Sequence, residues 1–213
     1  MANLIEIDDY KLLQNITSSD QDFVLTNLVE SVSQLVKTYT NNTIIDNFET
    51  GSGKAARVEE FSINYGESFL QLTGTPVVID RTLSGGNQLK PIIVKERTLA
   101  STDWSAATTL VEFADFYFDE TMDSIHKTAG GAYQPFARGP GTVQVTYFSG
   151  YAATPADLRL AVMDLITYYF KEQSIRSRTM SGSSITNSTS TSQKGNVGFP
   201  DHIKRVLDLY KIY

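Results

Sequence analysis

The residues best suited to chemistry in this sequence are few, and each lacks the neighbours its chemistry would need. Gly51-Ser52-Gly53-Lys54 looks like the end of a phosphate-cradling loop, but that pattern requires Gly where Phe48 stands and Ser or Thr where Ala55 stands, so a turn is expected instead. The two histidines, His126 and His202, have no second metal ligand at a usual spacing. Asp115, Asp119, Glu120 and Asp123 form an acidic group without the glycine and alternating oxygen ligands of a calcium loop, and read as a solvated hairpin. Glu59 and Glu60 are adjacent on a predicted strand and should point to opposite faces, which separates them as an acid–base pair. There is no cysteine, hence no disulfide, no thiolate zinc site and no thiol nucleophile, and no serine sits in a G-x-S-x-G elbow. The sequence therefore predicts no enzyme, no cofactor and no metal.

The elements that surround these residues are more informative. Leu25, Leu28, Val29, Val32, Leu35, Val36 and Tyr39 fall on one face of a helix predicted over 18–40, with Ser18 and Gln21 as a capping box and Asn41-Asn42 as a stop. A short turn is expected before it, in Ile7–Ile16. From Thr43 to Tyr151 the period changes to two. VEEFSINY, SFLQL, TPVVIDRTL, KPIIVKERTL, TLVEFADFYF and TVQVTYF are rich in β-branched and aromatic residues, and glycine-containing turns separate them. In the last of these, Val143, Val145 and Tyr147 share a face.

Helical spacing returns after Tyr151. Thr154 is placed to cap, Pro155 suits the first turn, and Leu158, Ala161, Val162, Leu165, Ile166, Tyr169 and Phe170 spread apolar surface around much of the helix, which therefore needs more than one neighbour. Arg176 and Arg178 are read at its C-terminal end, where they complement the helix dipole or contact DNA or a partner. A polar tract follows, too poor in apolar residues to order itself; as a flexible tether its reach is roughly 25 Å. The chain then ends in a short amphipathic helix whose Phe199, Ile203, Val206, Leu207 and Tyr210 form an apolar stripe. A helix this short is marginal alone, so the stripe is expected to dock on a preformed surface.

The fold class expected is α+β. Residues 1–43 and 152–180 form a discontinuous helical bundle, 44–151 an inserted antiparallel β module, 181–198 a flexible linker and 199–213 a docking helix. The net charge of −6 disfavours a protein that grips nucleic acid by neutralising its phosphates, although DNA can pass such a surface without adhering. The N-terminus carries acidic residues where an export signal needs basic ones, and no stretch is long and apolar enough to span a membrane.

The stretch from Phe113 to Pro155 resembles the head-to-tail connector (adaptor) proteins of tailed phages. That family shows an aromatic-rich D-Y-Y-V-D strand, a glycine-containing hairpin, and V-x-V-x-Y-x-x-G-Y running into P-x-x-L and a long helix. The matching residues here are Asp115 to Asp119, Val143, Val145, Tyr147, Gly150, Tyr151, Pro155 and Leu158. The opening helix and the closing L-x-x-Y, Leu207 to Tyr210, are similar as well. The resemblance implies a virion protein of the neck, assembled in the host cytoplasm. In it, a dodecameric ring beneath the portal extends the DNA channel and joins capsid to tail. Its partners would be other copies of itself, the portal, and tail or neck proteins on the distal side, with the terminal stripe held by the portal or an adjacent subunit. An alternative is a β-rich tail or receptor-binding module with a helical oligomerisation stem, in which the aromatics of FADFYF face a ligand.

Overall fold

A computed structural model describes residues 2–51, 54–84, 87–98, 103–171, 177–180, 183–186 and 199–212. The chain forms two compact units: Thr43–Ala152 is one, and Ala2–Asn42 with Ala153–Tyr213 is the other. The fold is α+β.

The second unit is helical, with α1 at Ile7–Gln14, α2 at Asp22–Thr40, α3 at Ala156–Phe170 and α4 at Asp201–Leu209. The apolar stripes read from the sequence are its core: Leu25, Val29, Val32 and Val36 of α2 are buried with Leu158, Val162, Leu165 and Ile166 of α3. Both α1 and α2 stop at an asparagine in the left-handed region, Asn15 at φ 54° and Asn41 at φ 51°, a conformation asparagine tolerates better than most residues.

Two expected caps are not formed. Ser18 Oγ bonds to the Asp20 carboxylate and accepts from the Asp20 amide, so the hydroxyl is used in a local turn; Gln21, with no side-chain cap bond, occupies the N-cap of α2. The hydroxyl of Thr154 donates instead to the Leu4 carbonyl at 2.5 Å, and Pro155 stands at the N-cap of α3. That bond, with the Leu4 amide donating to Ser33 Oγ at 3.1 Å and Lys37 Nζ donating to the Ala2 carbonyl at 2.6 Å, ties the N-terminal residues onto the helices.

The helix expected to continue to Arg178 ends at Phe170. Ser177–Met180 (β12) instead pairs antiparallel with Ser183–Thr186 (β13), so Arg178 lies in a strand and not at a helix end, and part of the expected linker is a strand too. Arg176 and the rest of the expected linker lie outside the described residues.

The β unit has eleven strands among its described residues: β1 Arg57–Ile63, β2 Phe69–Gln71, β3 Val77–Val78, β4 Asp80–Ser84, β5 Asn87–Lys90, β6 Ile93–Glu96, β7 Thr108–Leu110, β8 Phe116–Asp119, β9 Ser124–Ala129, β10 Ala132–Tyr133 and β11 Gly139–Ser149. The larger sheet runs β1-β11-β6-β7 with β3 also on β11; β9 pairs with β2, β8 and β10 in a second sheet; and β4 pairs with β5. Every pairing between these strands is antiparallel. Val143, Val145 and Tyr147 of β11 are buried with Phe116 and Phe118 of β8 and Ile125 of β9 in one core. TLVEFADFYF, expected as a single strand, is broken in two: the Val111 carbonyl accepts from the Ala114 and Asp115 amides while the Asp115 carboxylate accepts from the Val111 amide, which folds 111–115 into a tight loop between β7 and β8.

Candidate functional site

The terminal helix is the element from which the sequence predicts a binding role. Phe199, Ile203 and Leu207 are at most 2% exposed, Val206 and Tyr210 are partly buried, and the helices against them are α2 and α3 of the same chain. In the isolated chain its own subunit supplies the preformed surface that so short a helix needs. Tyr39 of α2 meets the Phe199 ring edge-on at 4.9 Å and donates to Asp208 at 2.7 Å.

Polar bonds fix the segment beyond the helix. The Tyr210 hydroxyl donates to the Asp157 carboxylate at 2.6 Å, which holds that carboxyl below its ordinary value. Asn42 Nδ2 donates to the Tyr210 carbonyl at 3.1 Å, and the Ile212 amide donates to the Thr40 carbonyl at 2.9 Å, satisfying an acceptor that the end of α2 leaves open. Sequence reasoning found the apolar stripe but missed the bonds that Tyr39, Asn42 and Asp157 make to the terminal segment. Their polarity carries no periodic signal.

In the β unit the adjacent carboxylates do separate. Glu60 accepts from Trp104 Nε1 at 2.9 Å and from Gln144 Nε2 at 3.2 Å. Glu59 sits in a half-buried cluster: it accepts from Arg57 Nε, the Thr73 hydroxyl and amide, and the Tyr147 hydroxyl, which itself accepts from the Gly74 amide at 2.8 Å. Burial works to raise the Glu59 pKa, but the hydrogen bonds outweigh it and the net shift is downward; burial, then the carboxylate, pushes the Tyr147 phenol up.

A carboxyl lowered on folding stabilises the fold fully above its ordinary value of 4.5, and that stability is lost as pH falls through the depressed folded value. Urea unfolding followed with pH should therefore show the wild type losing stability below pH 4.5, with a shallower slope in Glu59→Gln. Tyr147→Phe should cost about 1–3 kcal/mol at neutral pH, because the Gly74 amide and a carboxylate oxygen each lose a buried partner.

The remaining candidates have ordinary surroundings. Lys54 pairs with Glu49 at 2.8 Å. His126 lies between Phe69 and Tyr133, and His202 is exposed. Asp119 accepts from Thr121, Glu120 pairs with Arg81, and Asp123 accepts from the Val77 amide; among the described residues no group of carboxylates and histidines is arranged to hold a metal ion. Of the FADFYF aromatics, Phe116 and Phe118 are buried in the core, which leaves Phe113 and Tyr117 exposed. No described helix is long and apolar enough to cross a membrane.

Comparison with known proteins adds two findings. The family model described as head completion protein matches residues 132–213, from the β10 hairpin through the terminal helix. Among solved structures the chain is similar to the neck of the empty gene transfer agent particle computed with C6 symmetry, with TM-score 0.54 and 13% identity over 99% of this chain and 90% of that one. It is similar also to the neck of the native particle computed with C12 symmetry, with TM-score 0.52 and 14% identity over the same shares. At such identities the shared property is the fold. No curated protein matches the chain in sequence. A neck-protein fold and a head-completion pattern in the C-terminal part support the resemblance to head-to-tail connectors.

Proposed function

We propose that the protein is a structural head-to-tail connector of a phage-like virion, forming a ring under the portal that extends the DNA channel and joins capsid to tail. The observation that carries this reading is the coincidence of two independent likenesses: a neck fold over 99% of the chain and the head-completion pattern in residues 132–213. The net charge of −6 suits a wall past which DNA moves. The C12 symmetry of one compared neck supports a ring of twelve copies.

In this reading the protein has no catalytic task, and its partners are other copies of itself, the portal, and tail or neck proteins on the distal side. The terminal helix is an exchangeable element. Phe199, Ile203, Val206, Leu207 and Tyr210 fill the groove of their own subunit in the free chain, and the same side chains engage the portal or an adjacent subunit on assembly. Arg176 and Arg178 contact the portal or passing DNA. Single-particle imaging of the purified protein, alone and with portal-bearing capsids, tests the reading: closed rings seated on the portal vertex are expected, and failure to associate with any capsid component would overturn it.

A further inference from the structure

The β unit carries two unexplained surface features at diagonally opposite corners of its larger sheet. The first is a projection after β7, the strand at one edge. In the 111–115 loop Phe113 stands at φ 67°, a left-handed conformation that is costly for an aromatic residue, yet the residue is 69% exposed and Val111 in the same loop is 60% exposed. Its described neighbour is the Arg81 guanidinium, 5.5 Å from the ring centre, which is itself held by Glu112 and Glu120. The Phe113 amide closes the loop by donating to the Phe116 carbonyl at 2.7 Å, a bond that any residue can make and that does not account for an aromatic side chain held out into water. Such strain is kept where the projected group is used.

The second feature is a recess at the opposite edge, where β1 ends and β11 begins, with Ile63 paired to Gly139. It has a volume of about 350 Å³, is lined by Ile63, Tyr65, Arg138 and Pro140 among others, and includes no carboxylate. Tyr65 is 86% exposed, and the Arg138 guanidinium lies 5.8 Å from its ring centre. The projection is flanked by Glu112, Asp115 and Glu120 against one cation, Arg81, which leaves it an excess of negative charge, opposite in sign to Arg138 of the recess.

A rigid body bearing the two halves of one contact on opposite edges joins its copies head to tail, which generates a ring when the rotation closes. We infer that Phe113 of one subunit enters the Tyr65–Arg138 recess of the next. This contact deepens the connector reading and rests on it only for the closure of the ring.

The absence of cysteine permits a direct test in the full chain. A Val111→Cys, Asn64→Cys double variant, oxidised gently, should give a ladder of covalent oligomers, whereas either single variant should stop at dimers. Adding Phe113→Asn, a residue that accepts the left-handed conformation and so spares the fold, should slow the ladder at least tenfold; Tyr65→Ser should do the same. In the cysteine-free background an equimolar mixture of Phe113→Asn and Tyr65→Ser proteins should form dimers only, because each retains one working edge. A double-cysteine protein no more cross-linked than the singles, or a ladder indifferent to Phe113→Asn, overturns the contact. If that happens while images still show rings, the connector reading survives with a different interface; if rings are absent as well, both readings fall.

Discussion

Deletion of residues 199–213 is expected to unfold the helical unit, not merely to remove a binding tail. Phe199, Ile203 and Leu207 close the core that α2 and α3 share, and the Thr40 carbonyl and Asn42 side chain bond to the segment that follows the helix. Single truncations give a graded version of the same result. Ile203→Ala and Leu207→Ala should each cost about 2–5 kcal/mol in urea unfolding, because both leave a cavity that α2 and α3 cannot fill. Ile203→Asp should cost more, since it places an unpaired charge in that cavity. Arg205→Ala, on the exposed side of the same helix, should change stability by less than about 0.5 kcal/mol. A truncated protein that kept the stability of the whole chain would show that the helix contributes nothing to the subunit and exists only for its partners.

The second large effect is expected at Gly150, at the end of β11. A methyl group there would stand 2.1 Å from the Ile44 carbonyl oxygen, and the residue adopts φ +93°, where side chains are strained whatever the space. The obstacle is backbone and cannot turn aside: the Ile44 carbonyl accepts from the Tyr151 amide at 2.8 Å, and Ile44 is itself fully buried at φ 60°. The Gly150 amide donates to the Pro76 carbonyl at 2.8 Å, which fixes the other side. Gly150→Ala should therefore cost more than about 4 kcal/mol, in the range of changes that prevent folding. Gly130→Ala is the control. Gly130 also has positive φ, but nothing lies within 4 Å of the added atom, and the cost there should be about 1–2 kcal/mol. Thermal unfolding of the three proteins settles the comparison.

The parts of this architecture legible in the sequence are those governed by burial along one element. The α2 stripe, the α3 girth and the Val143, Val145, Tyr147 face needed only the period of their apolar residues, and all of these residues but the partly exposed Leu28, Leu35, Tyr39, Tyr169 and Phe170 are buried. What failed depended on competition between local bonds or on distant partners. TLVEFADFYF has strand composition throughout, yet the Asp115 carboxylate captures the Val111 amide and breaks it. Ser18 has a capping residue's chemistry, but Asp20 claims it first. The apolar stripe of α4 was plain in the sequence; that its mate lies on the same chain was not, because an amphipathic face states what it must cover and never whose surface that is. The Phe113 loop was illegible for a related reason: a left-handed aromatic residue is a property of the closed loop and leaves no mark on composition.

The bond between the Ile44 carbonyl and the Tyr151 amide has one more implication. It brings the first and last residues of a stretch of more than a hundred amino acids to within a single peptide group of each other, so the β unit departs from the chain and rejoins it through one doorway. A module attached in that manner is a cassette. Lineages can enlarge, trim or replace it while the surrounding helices keep their original path, and an engineer can substitute a short loop for the whole of it.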